Sequence, residues 1–165
     1  MTEAAPLAPH HLEMLRKSAI NDEIIKARGY RTVTDPAELR QLGFAPGQCR
    51  VPGLLLPLHT TDGRNGLNVY RPDNPRVIEE KDKRRNPDST RPCKVIKYEM
   101  PKGAGVRLDC PLPCLPKLAN PRVPLWLTEG QKKADSLASV GLCNCPLGCV
   151  EFQRAQSRRG HNLFS

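Results

Sequence analysis

The chain has 165 residues, enough for one domain with a real core, and no run approaches the roughly 18 apolar residues of a membrane span. Its 26 Lys and Arg against 17 Asp and Glu leave a net charge of +9, which favours polyanionic partners, DNA or nucleotides, without choosing between them. Met1 to Pro9 lacks a basic region followed by an apolar core, so a cytoplasmic protein with no membrane partner is expected.

In chain order, His10 to Leu15 reads as a short amphipathic helix. Asn21 is a good cap for a second, with Asp22 and Glu23 at its positive end, Ile24 and Ile25 as its apolar face and Gly29 as its terminator. Asp35, Pro36 and Glu38 start a third that Gly43 closes. The basic residues of this region, Lys17, Lys26, Arg28, Arg31 and Arg40, are not gathered into one recognition helix, so a packing unit is expected over residues 1–46.

Residues 47–109 change character. The runs Gly53 to His59 and Leu67 to Arg71 flank the turn dipeptides Asp62-Gly63 and Asn65-Gly66, a hairpin signal that Asp73-Asn74-Pro75 ends. Glu79 to Arg91 is charged and without apolar residues, a solvated loop, and Lys94 to Met100 alternates as a further strand. Arg71, Arg76, Arg84, Arg85 and Lys97 are the candidate nucleic-acid contacts of this region.

Residues 110–143 begin with a proline-rich connector expected to be extended. Leu125, Trp126 and Leu127 then suit a buried strand, Gly130 a tight exit, and Gln131 to Val140 a helix stopped by Gly141. Glu129 therefore sits at a strand's carboxyl end, the usual ligand position in open α/β sheets. It is a candidate general acid or base, or a cation ligand, with Lys132 and Lys133 as candidate phosphate contacts; Thr128 and Gln131, a near capping box, offer the plain helix-capping alternative.

The segments His11 to Leu15, Ala27 to Val33, Arg50 to Leu54, Tyr70 to Arg76, Lys97 to Glu99 and Leu125 to Gly130 together resemble an uncharacterised toprim-like family. Its members occur in phage, plasmid and mobile-element replication proteins, often ahead of a primase or helicase region, and the likeness spans about residues 10 to 143. The resemblance implies nucleotidyl-transfer chemistry with Glu129 as acid or base and Mg2+ on a later Asp-x-Asp pair. Here Asp135 and Glu151 are the only acids after Glu129, so that pair is lacking and the activity is expected to be incomplete in this chain alone.

The resemblance also implies an apolar second strand after Cys143, where Asn144 to Phe152 stands instead. One coding of those nine residues, read one nucleotide later, spells Ile-Ala-Leu-Leu-Gly-Val-Trp-Asn. Residues 144–165 are accordingly read as a disordered or out-of-frame tail of a truncated chain. Seven cysteines without a secretory signal are expected as reduced thiols. Cys110, Cys114, Cys143, Cys145 and Cys149 leave a zinc-binding interaction protein as an alternative, although their spacings are not those of paired zinc knuckles. The four histidines, His10, His11, His59 and His161, read as scattered. The fold expected is α+β: amino-terminal short helices, a small antiparallel sheet, then the first strand and helix of an incomplete toprim-like unit.

Overall fold

The computed structural model describes residues 6–79, 93–105 and 108–146. In order the elements are α1 (Pro9–Lys17), α2 (Asp22–Arg28), β1 (Arg31–Val33), α3 (Pro36–Gln41), β2 (Gly53–His59), β3 (Asn65–Pro72), β4 (Arg76–Glu79), β5 (Cys93–Ile96), β6 (Trp126–Thr128), α4 (Gln131–Ser139) and β7 (Asn144–Pro146). The α+β class, the three amino-terminal helices and the small antiparallel sheet are as expected. Arg84 and Arg85 lie outside the described residues, as does most of the charged loop. None of the described helices is long and apolar enough to cross a membrane.

Local chemistry sets the helix ends. Asn21 accepts from the Ile24 amide at 2.9 Å, and Gly29 ends α2 at φ +77°, a left-handed conformation that glycine adopts without steric cost. Asp35 accepts from the Ala37 amide at 2.7 Å, and Pro36 occupies the first turn of α3, where its missing N–H has no helical partner to lose.

The chain divides into two interleaved units. The first comprises Met1–His11, Tyr30–Leu56 and Asn68–Ala104. In it β1 runs antiparallel to β2, Arg31 opposite Leu55 and Val33 opposite Gly53, and β3 flanks the far side of β2. Three residues starting Arg-Thr are too few to register as an alternating pattern, so β1 is visible only through its partner. A second ribbon pairs β4 with β5, Arg76 opposite Ile96 and Glu79 opposite Cys93. Beyond it, Tyr70 and Glu99 exchange backbone hydrogen bonds of 2.9 and 2.7 Å.

Val33, Leu39, Phe44, Leu55 and Tyr70 form the core of this unit, each large side chain contributing about 1.5–3 kcal/mol by burial. Tyr70 meets Phe44 edge-on at 5.9 Å between centroids, and its hydroxyl donates to the Arg50 carbonyl at 2.7 Å. Its ring leaves no room beside Gly53: a Cβ there would stand 2.5 Å from the Tyr70 hydroxyl oxygen and 2.6 Å from the Arg71 carbonyl oxygen. Because one obstacle is backbone, Gly53→Ala is expected to cost about 1–3 kcal/mol, read as a lowered Tm, whereas Gly47→Ala, with nothing within 4 Å, is expected to leave Tm unchanged.

The second unit comprises Leu12–Gly29, Pro57–Leu67 and Gly105–Ser165. Gly63, at φ +79°, turns the chain from β2 into β3, its amide donating to the Thr60 carbonyl at 2.8 Å. The turn thus uses Asp62-Gly63, while Asn65 already belongs to β3. The proline-rich connector is not wholly extended: Leu112–Lys117 forms a 3-10 helix. Proline fixes a φ close to the helical value and is tolerated in a first turn, so Pro113 stabilises that start.

β6 and β7 pair in parallel, Trp126 opposite Asn144 and Thr128 opposite Pro146, with α4 between them in sequence and lying against β7 and α2. Two expectations are corrected here. Asn144–Pro146, assigned to the tail by sequence, are a buried strand, because β6 supplies their backbone partners and Asn144 donates its amide nitrogen to the Ala134 carbonyl at 2.9 Å. Leu125, Trp126 and Leu127, expected buried, are 51, 53 and 63% exposed, because this sheet has only two strands among the described residues.

Candidate functional site

Glu129 leaves the carboxyl end of β6, and Gly130 is the N-cap of α4 with no side-chain bond to the helix. The capping box anticipated from Thr128 and Gln131 does not form, since Gln131 is itself the first helical residue. Glu129 is highly exposed and pairs one helical turn along with Lys133, whose ammonium holds the carboxyl below its ordinary range. An ionised carboxylate suits a base or a cation ligand and is a poor proton donor at neutral pH. The structure therefore brings Glu129 and Lys133 together but turns Lys132 towards Ser18, whose hydroxyl lies 3.3 Å from its ammonium.

About one turn into α4, Asp135 is fully buried and spent on another task. The Arg28 guanidinium donates to it through Nε at 3.0 and 3.2 Å and through Nη2 at 2.5 Å. Arg28 Nη1 donates to Asp109 at 2.6 Å, and the same Asp109 oxygen accepts the His59 amide at 2.8 Å. Burial pushes the Asp109 carboxyl up, with Arg28 pulling the other way; His59 is pushed down by burial and by the Arg28 charge. This network ties α2, β2 and α4 into one unit, and it removes the only described acid after Glu129 from metal chemistry. The magnesium implied by the family resemblance therefore does not fit the residues present: one exposed carboxylate already faces a lysine, and the next is locked on arginine.

None of Cys49, Cys110, Cys114, Cys143 and Cys145 is in a disulfide. Cys110, Cys114, Cys143 and Cys145 are all buried, and burial raises the thiols of Cys110, Cys114 and Cys145. Cys110, Cys114 and Cys143 lie 3.7, 3.7 and 3.8 Å from the carbonyls of Pro111, Leu142 and Cys114, and Cys114 Sγ also accepts the Asn144 backbone amide at 3.4 Å. Among the described residues no three of them converge; the group that does is His10, His11 and Asp73. Sequence alone could not have found it, since Asp73 lies more than sixty residues from the two histidines.

Of the candidate nucleic-acid contacts, Arg76 is committed internally. Its Nε and Nη2 donate to the fully buried Glu99 at 2.5 and 2.9 Å, and Gln48 Nε2 donates to the same carboxylate at 2.9 Å. Lys97 is exposed, and the Arg71 guanidinium lies 5.9 Å from the centre of the Tyr98 ring.

No known protein family matches the sequence, and no curated protein does. Solved structures do. The "DnaG catalytic core" aligns with 86% of this chain at TM-score 0.55 and 17% identity. The fold is primase-like. The Aquifex aeolicus primase, described as its zinc-binding and RNA polymerase domains, aligns with 85% of the chain at TM-score 0.52 and 11% identity. This chain spans 48% of the first of these and 37% of the second, so it has the fold of only part of a primase core.

Proposed function

We propose that the chain is a primase-like replication module of a mobile element that handles DNA or nucleotides and is catalytically incomplete by itself. The observation that carries the reading is β6 leading into α4 with Glu129 at the carboxyl end of the strand, set within a primase-like fold. The half-exposed Leu125, Trp126 and Leu127 support incompleteness, because parallel sheets are ordinarily covered on both faces. In this reading a further segment, joined to a primase or helicase region in full-length relatives, supplies the acidic pair and covers β6. The coding DNA tests the truncation: an open shifted frame downstream of the Cys143 codon, encoding an apolar strand and then an Asp-x-Asp pair, is expected, and an immediate stop there counts against it.

A second reading, a non-catalytic nucleic-acid-binding module, is favoured by Lys97 and by Arg71 over Tyr98, a cationic and aromatic surface suited to phosphate and base. Restoring the missing segment separates the two readings. Magnesium-dependent nucleotidyl transfer that appears with it and is lost in Glu129→Gln supports the first; DNA binding with no transfer supports the second.

A further inference from the structure

His10, His11 and Asp73 each bring one ligand atom to a common point, all within 4.8 Å of one another, and all three belong to the same unit. His10 Nε2 lies 3.0 Å from Asp73 Oδ2, and His11 Nε2 lies 2.8 Å from Asp73 Oδ1. Adjacent residues of a helix diverge by about 100°, yet the two imidazole centroids are only 4.0 Å apart, drawn to the same carboxylate. We propose that His10, His11 and Asp73 form a binding site for a zinc-class divalent cation, with Thr32 orienting the buried imidazole.

The donor set selects the cation. Two imidazole nitrogens and one carboxylate oxygen are borderline donors that suit Zn2+, Co2+ or Ni2+, whereas Mg2+ and Ca2+ take oxygen ligands. Ligands at about 2.0–2.1 Å from a tetrahedral ion stand roughly 3.3 Å apart; the two nitrogen–oxygen separations, 3.0 and 2.8 Å, are within a few tenths of an ångström of that, and a turn of the carboxylate brings one oxygen to both rings. The His10 and Asp73 side chains, 58 and 34% exposed, are free to make that adjustment, while His11, 2% exposed, stays fixed.

Thr32 makes the change of tautomer inexpensive. Its hydroxyl oxygen accepts the Ala8 amide at 2.8 Å and lies 2.8 Å from His11 Nδ1. In the neutral Nε2–H tautomer, His11 donates to Asp73 and its Nδ1 accepts the threonine hydroxyl. With metal, the Nε2 lone pair faces the ion, the Nε2 proton leaves to solvent, Nδ1 takes one up, and Nδ1–H donates to the second lone pair of the same hydroxyl. A ring nitrogen held this way is the usual support for a metal-bound histidine. Three protein ligands leave a fourth position open on the exposed side for water or an anionic oxygen.

The test uses the full, untagged chain freed of metal and titrated with Zn2+ against a chromophoric chelator, with Mg2+ in a parallel arm. One equivalent of Zn2+ is expected to bind and to move the imidazole 15N resonances of His10 and His11, with no response to Mg2+. His10→Ala, at an exposed position, and Asp73→Asn are each expected to weaken Zn2+ at least tenfold, while the Cys110→Ser, Cys114→Ser double variant binds as the parent does. A Co2+ spectrum should lack thiolate charge transfer. Unchanged histidine resonances, parental affinity in both ligand variants, or affinity lost only with the cysteines would overturn the site.

Discussion

Replacing Arg28 by Met is expected to cost about 3–5 kcal/mol at neutral pH, because it leaves two buried carboxylates, Asp109 and Asp135, without their cation. That is a large share of the stability of an ordinary domain, and for a chain of this size it should lower Tm by roughly 6–20 °C. The deficit should shrink in acid, where the Asp109 carboxyl, pushed up by burial, neutralises. Asp109→Asn is the informative contrast. An amide keeps an acceptor oxygen for Arg28 and His59, and it removes the charge whose burial pushes the carboxyl up. A carboxyl raised in the fold binds more protons folded than unfolded, so its burial penalty is absent below its unfolded value and grows as pH climbs through its raised one. The parent should therefore lose stability as pH rises above the ordinary aspartate range, and Asp109→Asn should lose less there in chemical denaturation followed against pH.

The second large effect concerns Arg76. From sequence it belongs with the surface cations available to DNA; in the fold it is half of an ion pair with the fully buried Glu99. Arg76→Ala is expected to lower stability by about 2–3 kcal/mol, the lower figure reflecting its partly exposed guanidinium. Gln48 still donates one hydrogen bond to Glu99, which limits the loss. Lys97→Ala should leave the denaturation midpoint where it was. If Arg76→Ala were equally silent, the Glu99 carboxylate would have to find other partners, and the ion pair would have no structural weight.

These two arginines mark where sequence was and was not sufficient. Asn21, Gly29, Asp35 and Pro36 act within a few residues of themselves, so their caps were legible directly. Gly63 likewise announced its turn. Arg28, Arg76, His11 and Asp73 act through partners more than twenty residues away, and no local pattern distinguishes a cation bound for the interior from one bound for solvent. β1 and β7 are three residues each and owe their conformation to β2 and β6. The exposed face of β6 differs from its pattern for a related reason: the apolar run is right for a buried strand, but burial depends on neighbours that the described residues do not provide. Glu129 was placed correctly at the end of its strand, yet its pairing with Lys133 and the capture of Asp135 by Arg28 were invisible until the helix was in place.

Both proposed readings require the chain to handle nucleic acid, with Lys97 as its exposed cation beside Arg71 and Tyr98. Binding of a single-stranded oligonucleotide, measured by fluorescence anisotropy between about 50 and 200 mM salt, tests it most directly. Affinity should fall linearly on a log–log plot. Lys97→Ala should weaken binding about equally for unrelated sequences and reduce the slope by about one, while Glu129→Gln leaves both unchanged. Binding that is absent at low salt, or indifferent to salt and to Lys97, would contradict it.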